Sequence, residues 1–168
     1  MPRAERTAHP LSVMTDESRL KQKLHHHTPS WVPDGATFHI RIRCATHPVC
    51  SQQIVLTAPT LGSALLDSVL FYHTRHRWWC HLCLLMPDHL HALIAFPPAE
   101  AMSRVIGEWK HYHTTHHRVA WQDGYFDHRI RNAAELQLKA QYIRQNPVVK
   151  NLCSAAAAWP WFCEPARQ

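Results

Sequence analysis

Residues Thr37-Phe38-His39-Ile40-Arg41-Ile42-Arg43-Cys44 alternate apolar with polar in period two, which predicts a strand. Phe38, Ile40 and Ile42 would face a core, with Arg41 and Arg43 on the other side. From Thr60 to Arg75 the period changes. Leu61, Leu65, Leu66, Val69, Leu70 and Tyr72 recur at helical spacing behind Thr60 as N-cap, predicting a first helix. Two apolar runs, Trp78 to Leu85 and Leu90 to Phe96, flank Met86-Pro87-Asp88, a turn signal that predicts an antiparallel hairpin at the centre of a sheet. Ala101 to Ala120 reads as a second amphipathic helix, with Met102, Val105, Ile106, Trp109 and Tyr112 on one side and a basic polar surface. After a turn at Trp121 to Gly124, Tyr125 to Arg131 reads as a short strand. Asn132 to Asn146 reads as a third helix, capped by Asn132 and stopped by Pro147. The order strand, helix, strand, strand, helix, strand, helix predicts a single α+β sheet.

The segment 1–33 is polar, carries Pro10, Pro29 and Pro33 and the run His25-His26-His27, and is expected to be disordered or loosely packed. The folded domain is expected to span 36–162, with Trp159-Pro160-Trp161-Phe162 as a packed extension and 163–168 as a tail. A chain of 168 residues suffices for a core that buries roughly two-thirds of the unfolded surface, so neither disulfides nor a structural metal are needed to hold it. A formal charge of +6, with 16 histidines besides, favours an acidic partner such as nucleic acid. The six cysteines are irregularly spaced and no secretory signal precedes them, so they read as reduced thiols of a cytoplasmic protein. No segment reads as a membrane span.

The sharpest local feature is Pro87-Asp88-His89-Leu90-His91. Residues i and i+2 of a strand share a face, so two imidazoles can reach one metal ion, although two hydrogen-bonded histidines would satisfy the same pattern. In the third helix Tyr142 and Asn146 lie one turn apart on the Leu138 stripe, whereas Leu136, Ala140 and Ile143 form a different, core-facing stripe. The core therefore does not require a phenol at 142. Cys80-His81-Leu82-Cys83 would suggest zinc or redox chemistry elsewhere, but residues three apart in a regular strand face opposite sides, so buried thiols are expected.

Several segments in order resemble the REP-associated tyrosine transposases, a branch of the single-tyrosine HUH transposases of insertion sequences. Met86 to Ile94 is similar to the HUH strand, Trp121 to Asn132 to the lead into the catalytic helix, and Tyr142-Ile143-Arg144-Gln145-Asn146-Pro147-Val148 to the Tyr-Ile-x-x-Asn-Pro-Val signature. Phe38 to Arg43 resembles the first strand and Trp159 to Phe162 the C-terminal segment. The resemblance implies a ferredoxin-like antiparallel sheet with helices on one face and the catalytic helix near the C-terminus. It implies that His89, His91 and Asn146 hold magnesium or manganese, that Tyr142 is the nucleophile and that His128 supports the site. The substrate would be single-stranded or hairpin DNA, cut and joined through a 5′-phosphotyrosine link. Arg41, Arg43, Lys110, Arg129, Arg131 and Arg144 lie on elements expected around the active face and are candidate phosphate contacts. Such a protein would work at the nucleoid, as a monomer or homodimer. Val149-Lys150-Asn151-Leu152 departs from the Arg-Ala-Gly-Leu common after this signature. Two rival readings are a DNA-binding protein that keeps the fold without cleaving, and a small domain stabilised by zinc at Cys80 and Cys83.

Overall fold

The computed structural model describes residues 35–45 and 54–165; the segment 1–33 and the end of the tail lie outside them. The elements are β1 (Thr37–Arg43), α1 (Pro59–Thr74), β2 (Trp79–Leu85), β3 (His89–Ala95), α2 (Met102–His117), β4 (Phe126–Arg129), α3 (Ala133–Val149) and β5 (Phe162–Cys163). The five strands form one antiparallel sheet in the order β4-β1-β3-β2-β5, which puts the predicted hairpin strand β3 at the centre. The first four strands with α1 and α2 make the ferredoxin-like arrangement, and β5 extends the sheet at the edge of β2. No described helix is long and apolar enough to cross a membrane.

Alternation along the strands divides the interior in two. Phe38, Ile40 and Ile42 of β1 join Leu90, Ala92 and Ile94 of β3 beneath Leu65 and Val69 of α1 and Val105, Ile106 and Trp109 of α2. The expectation of helices on one face thus holds for α1 and α2. The third helix takes the other face, where Ile143 packs with Leu82, Leu84 and Leu93, and Leu136 and Ala140 lie against them. The apolar runs of β2 and β3 make this possible: strands apolar on both faces can be covered from both sides.

The predicted opposition of Cys80 and Cys83 does not occur. The register between β2 and β3 shifts between Cys80 and Leu82, so one extra residue re-phases the alternation. Both cysteines lie in the α1/α2 core, while Leu82 and Leu84 face α3. Both are buried free thiols, as expected, and contact with the Cys163 sulfur together with burial pushes their pKa values far up.

Helix ends also differ from expectation. Thr60 is not the cap of α1, because Pro59, whose fixed φ and missing N–H suit a first turn, starts the helix and moves the N-cap position two residues back to Ala58. Helix α2 stops at Arg118, which adopts the left-handed conformation at φ 57° and turns its N–H back to the carbonyls of His113 and Thr114. Asn132 does cap α3, accepting from the Glu135 N–H at 2.8 Å. Pro147, however, lies inside α3 rather than ending it. It falls within the last turn, where few hydrogen bonds remain to be lost, its ring is buried, and Lys150 N–H still reaches the Asn146 carbonyl at 3.0 Å.

The C-terminal extension is anchored by Trp159 Nε1–H, which donates to the Leu85 carbonyl at 2.9 Å, and by Leu85 N–H, which donates to the Trp161 carbonyl at 2.9 Å. The Trp161 ring passes so close to Gly62 of α1 that a methyl group there would sit 2.5 Å from two ring carbons. Alanine normally stabilises a helix interior relative to glycine by about 1 kcal/mol. Here overpacking against a rigid indole outweighs that gain. Gly62→Ala is expected to lower stability by about 1–2 kcal/mol in urea unfolding, and a stabilised variant would refute the contact.

Candidate active site

The polar positions of β1 and β3 build a site on the face that α3 covers. Cross-strand pairing sets Arg41 opposite His91 and Arg43 opposite His89, so two guanidinium groups border two imidazoles on one side of the sheet. His89 and His91 are both buried and their Nε2 atoms approach to 3.1 Å. The opposite edge of each ring is held. His89 Nδ1–H donates to Asp88 Oδ1 at 2.6 Å, and His91 Nδ1 shares a proton with His39 Nε2 at 2.9 Å. His39 and His91 also stack, with centroids 5.2 Å apart.

Electrostatics keep these rings neutral. Burial, then the neighbouring His89, His39 and arginine charges, pushes His91 down to about 3. Burial, then Lys139 and His128, pushes His39 down to about 4. Burial lowers His89 as well, against the opposing pull of Asp88. At neutral pH the ring nitrogens therefore offer lone pairs rather than charge.

This donor set fits a divalent cation. A carboxylate on His89 Nδ1–H leaves Nε2 unprotonated, which is the tautomer a ligand needs. His91 reaches the same state when its proton sits on Nδ1 and is donated to His39. Two adjacent ligands on an octahedral ion stand about 3 Å apart, given bond lengths near 2.1 Å. Among the described residues no group of three or more His, Cys, Asp and Glu is arranged to hold a metal. A third protein ligand would have to be an amide or other oxygen donor. Asn146, polar yet buried, is of that kind; its Nδ2–H donates to the Tyr142 carbonyl at 2.9 Å, leaving Oδ1 as an acceptor.

Helix α3 brings Tyr142 to this pair. With Ile143 buried against the sheet, Tyr142 lies at the side of the helix, its ring 6.2 Å from that of His91 and 55% exposed. The Lys139 ammonium lies 5.6 Å from the phenol ring centre. The structure thus gathers His89, His91, Tyr142, Arg41 and Arg43. Asn146 follows Tyr142 by one helical turn.

Other expected participants stand apart. Lys110 donates to the Gln122 and Gly124 carbonyls at 2.8 and 2.9 Å and so clamps the turn beside α2, on the far side of the sheet. Arg144 is engaged with both oxygens of Glu164 at 2.8 Å. Arg129 pairs with Phe38 in register and therefore belongs to the α1/α2 side of β4. Arg131 is exposed beside the start of α3. His128, opposite His39, donates to Glu135 at 2.7 Å and ties β4 to the first turn of α3. It can set the pose of the helix that carries Tyr142. Sequence reasoning missed His39, Asp88 and Lys139. His39 was legible in principle, since it shares the strand alternation of Arg41 and Arg43.

The model of the IS200-like transposase family matches residues 72–146, a segment containing His89, His91, Tyr142 and Asn146. Among solved structures, a REP-associated tyrosine transposase bound to a REP hairpin is similar to this chain. The TM-score is 0.65 at 19% identity over 80% of each chain, a likeness of fold. No curated protein matches the sequence. The segment running from the end of α1 to Asn146 is thus similar to the IS200-like transposase family, and it is the part of the chain that carries His89, His91 and Tyr142.

Proposed function

We propose that this protein is a metal-dependent single-strand DNA endonuclease and strand transferase that acts on hairpin DNA of the REP type through a 5′-phosphotyrosine intermediate. The observation that carries the reading is the convergence of two neutral, oriented imidazoles on one point beside an exposed tyrosine ring. The solved neighbour holding a REP hairpin supports the substrate class.

His89, His91 and Asn146 would hold magnesium or manganese, which when bound draws charge from the non-bridging oxygens of the scissile phosphodiester and orients it. Arg41 and Arg43 flank the ligands and neutralise neighbouring phosphates. A tyrosine hydroxyl must lose its proton to act as the nucleophile. The Lys139 ammonium stands beside the ring, and the exposure of Tyr142 gives the proton a path to water. The phenolate oxygen attacks phosphorus in line, forming the P–O bond to tyrosine as the bond to the 3′ oxygen breaks, and that oxygen takes a proton. Attack by another 3′-hydroxyl on the same phosphorus reverses the step and joins strands with no external energy source.

The test is incubation of labelled hairpin oligonucleotides bearing single-stranded flanks with the protein and magnesium, manganese or EDTA, followed by denaturing gels that retain adducts. A metal-dependent protein–DNA adduct is expected. Salt-sensitive binding with no adduct on any substrate would replace this reading with that of a DNA-binding protein that has kept the fold. Arg41→Ala and Arg43→Ala are each expected to weaken binding and to reduce the slope of log affinity against log salt by about 0.7, the value for one phosphate on a single strand. An unchanged slope would remove that arginine from the DNA path.

A further inference from the structure

The metal and nucleophile site handles a phosphate, but nothing in it yet reads a base. Of the aromatic residues that could stack on unpaired bases, Trp78 and Trp109 are buried, and Trp121 and Tyr125 pack against the same α1/α2 core. Tyr112 is exposed on α2, beyond the opposite face of the sheet. Phe126 is different. It lies on the edge strand β4, is 45% exposed, and belongs to neither hydrophobic cluster. Burying an aromatic ring is the usual outcome of folding, so one held at the rim of a polar site does not repay its exposure through the core.

Its neighbours explain the position better. Phe126 pairs in register with Arg41, which pairs in turn with His91, so platform, cation and candidate ligand form a row across three adjacent strands. The row spans about 10 Å, two strand spacings. The Arg41 guanidinium carbon lies 5.2 Å from the Phe126 ring centre, and the His39 ring meets the same phenyl group edge-on at 5.8 Å. Both contacts restrain the ring, lowering the entropy cost of stacking on it, and they put a phosphate-binding cation next to an apolar face. An unpaired nucleotide presents the complementary pair, an anionic phosphate and a π-face.

We propose that Phe126, held by Arg41, is the platform on which the unpaired base next to the scissile phosphate stacks. The inference rests on the single-strand DNA reading above and adds to it a base-binding subsite. A stacking platform tolerates any base, so the subsite selects for unpaired DNA rather than for a sequence. It would keep a paired stem away from the nucleophile, because a base within a duplex cannot offer its face.

The test uses the full chain carrying Tyr142→Phe, so that binding is read without cleavage. The probes are hairpin oligonucleotides with single-stranded flanks in which each flanking nucleotide in turn is intact, abasic or 2-aminopurine. Phe126→Ala is expected to weaken binding of the intact probe about 5- to 150-fold. That loss should vanish when one particular flanking position is abasic, and 2-aminopurine at that position should be quenched on binding. Phe126→Trp should restore affinity, and Phe126→Leu, which keeps apolar bulk without the π-system, should show the same coupling as alanine. Losses equal on intact and abasic probes at every position, or no loss at all, would overturn the platform while leaving the nuclease reading in place. A chain that binds none of the oligonucleotides would overturn both.

Discussion

Tyr142→Phe is expected to abolish the protein–DNA adduct and to reduce strand cleavage by roughly 10³-fold or more, while leaving the fold and DNA binding intact. The substitution removes one oxygen. The ring remains, and with it the edge-on contact to His91 and the packing of the Lys139 side chain over the phenyl face. Because the residue is more than half exposed, the change in folding stability should stay within about 0.5 kcal/mol. The variant therefore separates chemistry from structure. Adduct yield on denaturing gels and urea midpoints, measured together, check both halves. An adduct that survives would assign the nucleophile elsewhere and dissolve the proposed mechanism.

Acid should unfold this protein from a site remote from catalysis. His113 of α2 is fully buried under Trp109, and its tautomer is set by Ser68. The Ser68 hydroxyl donates to the Leu65 carbonyl at 2.7 Å and accepts from Trp109 Nε1–H at 2.9 Å, so His113 Nε2–H must be the donor in the 2.7 Å contact with Ser68. Nδ1 is left as a buried nitrogen with no hydrogen-bond partner among the described residues. Protonating it would create a charge and a donor with nowhere to go. Burial first, and then His117 and His116, pushes His113 down to about 4 from an ordinary 6.5.

The sign follows from proton uptake. Between pH 6.5 and about 4 the unfolded chain holds the proton and the folded chain does not, so stability falls as pH falls through that window and levels off below it. For His113 alone the loss amounts to about 3 kcal/mol. His39 and His91, also depressed, act in the same direction. His113→Gln can still donate to Ser68 but cannot titrate. Its stability should decline less steeply between pH 6.5 and 4 in urea unfolding across pH. Parallel curves for the two proteins would show that His113 already takes up its proton in the folded state.

Much of this architecture is written locally. The alternation at Phe38 to Arg43, the hairpin about Met86 to Asp88 and the periodicity of the three helices depend on contacts between near neighbours, and each appears where its pattern puts it. So does the pairing of His89 with His91 on one strand face, and of Tyr142 with Asn146 one helical turn apart. Boundaries were less legible, because proline has two meanings: Pro59 starts α1, and Pro147 is absorbed into the last turn of α3.

The sequence by itself determined the elements from β1 to α3, their order and the residue types able to do phosphoryl chemistry, since periodicity and side-chain chemistry act within a few residues; the edge strand β5, which takes in Cys163 of the expected tail, it did not. Only the tertiary structure decided which of them meet. Placing α3 on the face opposite α1 and α2 brings Tyr142 to His91, and the antiparallel register of β1 with β3 and β4 brings Arg41, His39 and Phe126 beside them. One bulged residue in β2 turned Cys80 and Cys83 to the same side. Lys110 and Arg144, basic residues that looked equally suited to phosphate, were taken by the Gln122 and Gly124 carbonyls and by Glu164. Register, bulges and the side of a sheet on which a helix lands are set by packing between distant segments, and no pattern of neighbouring residues contains them.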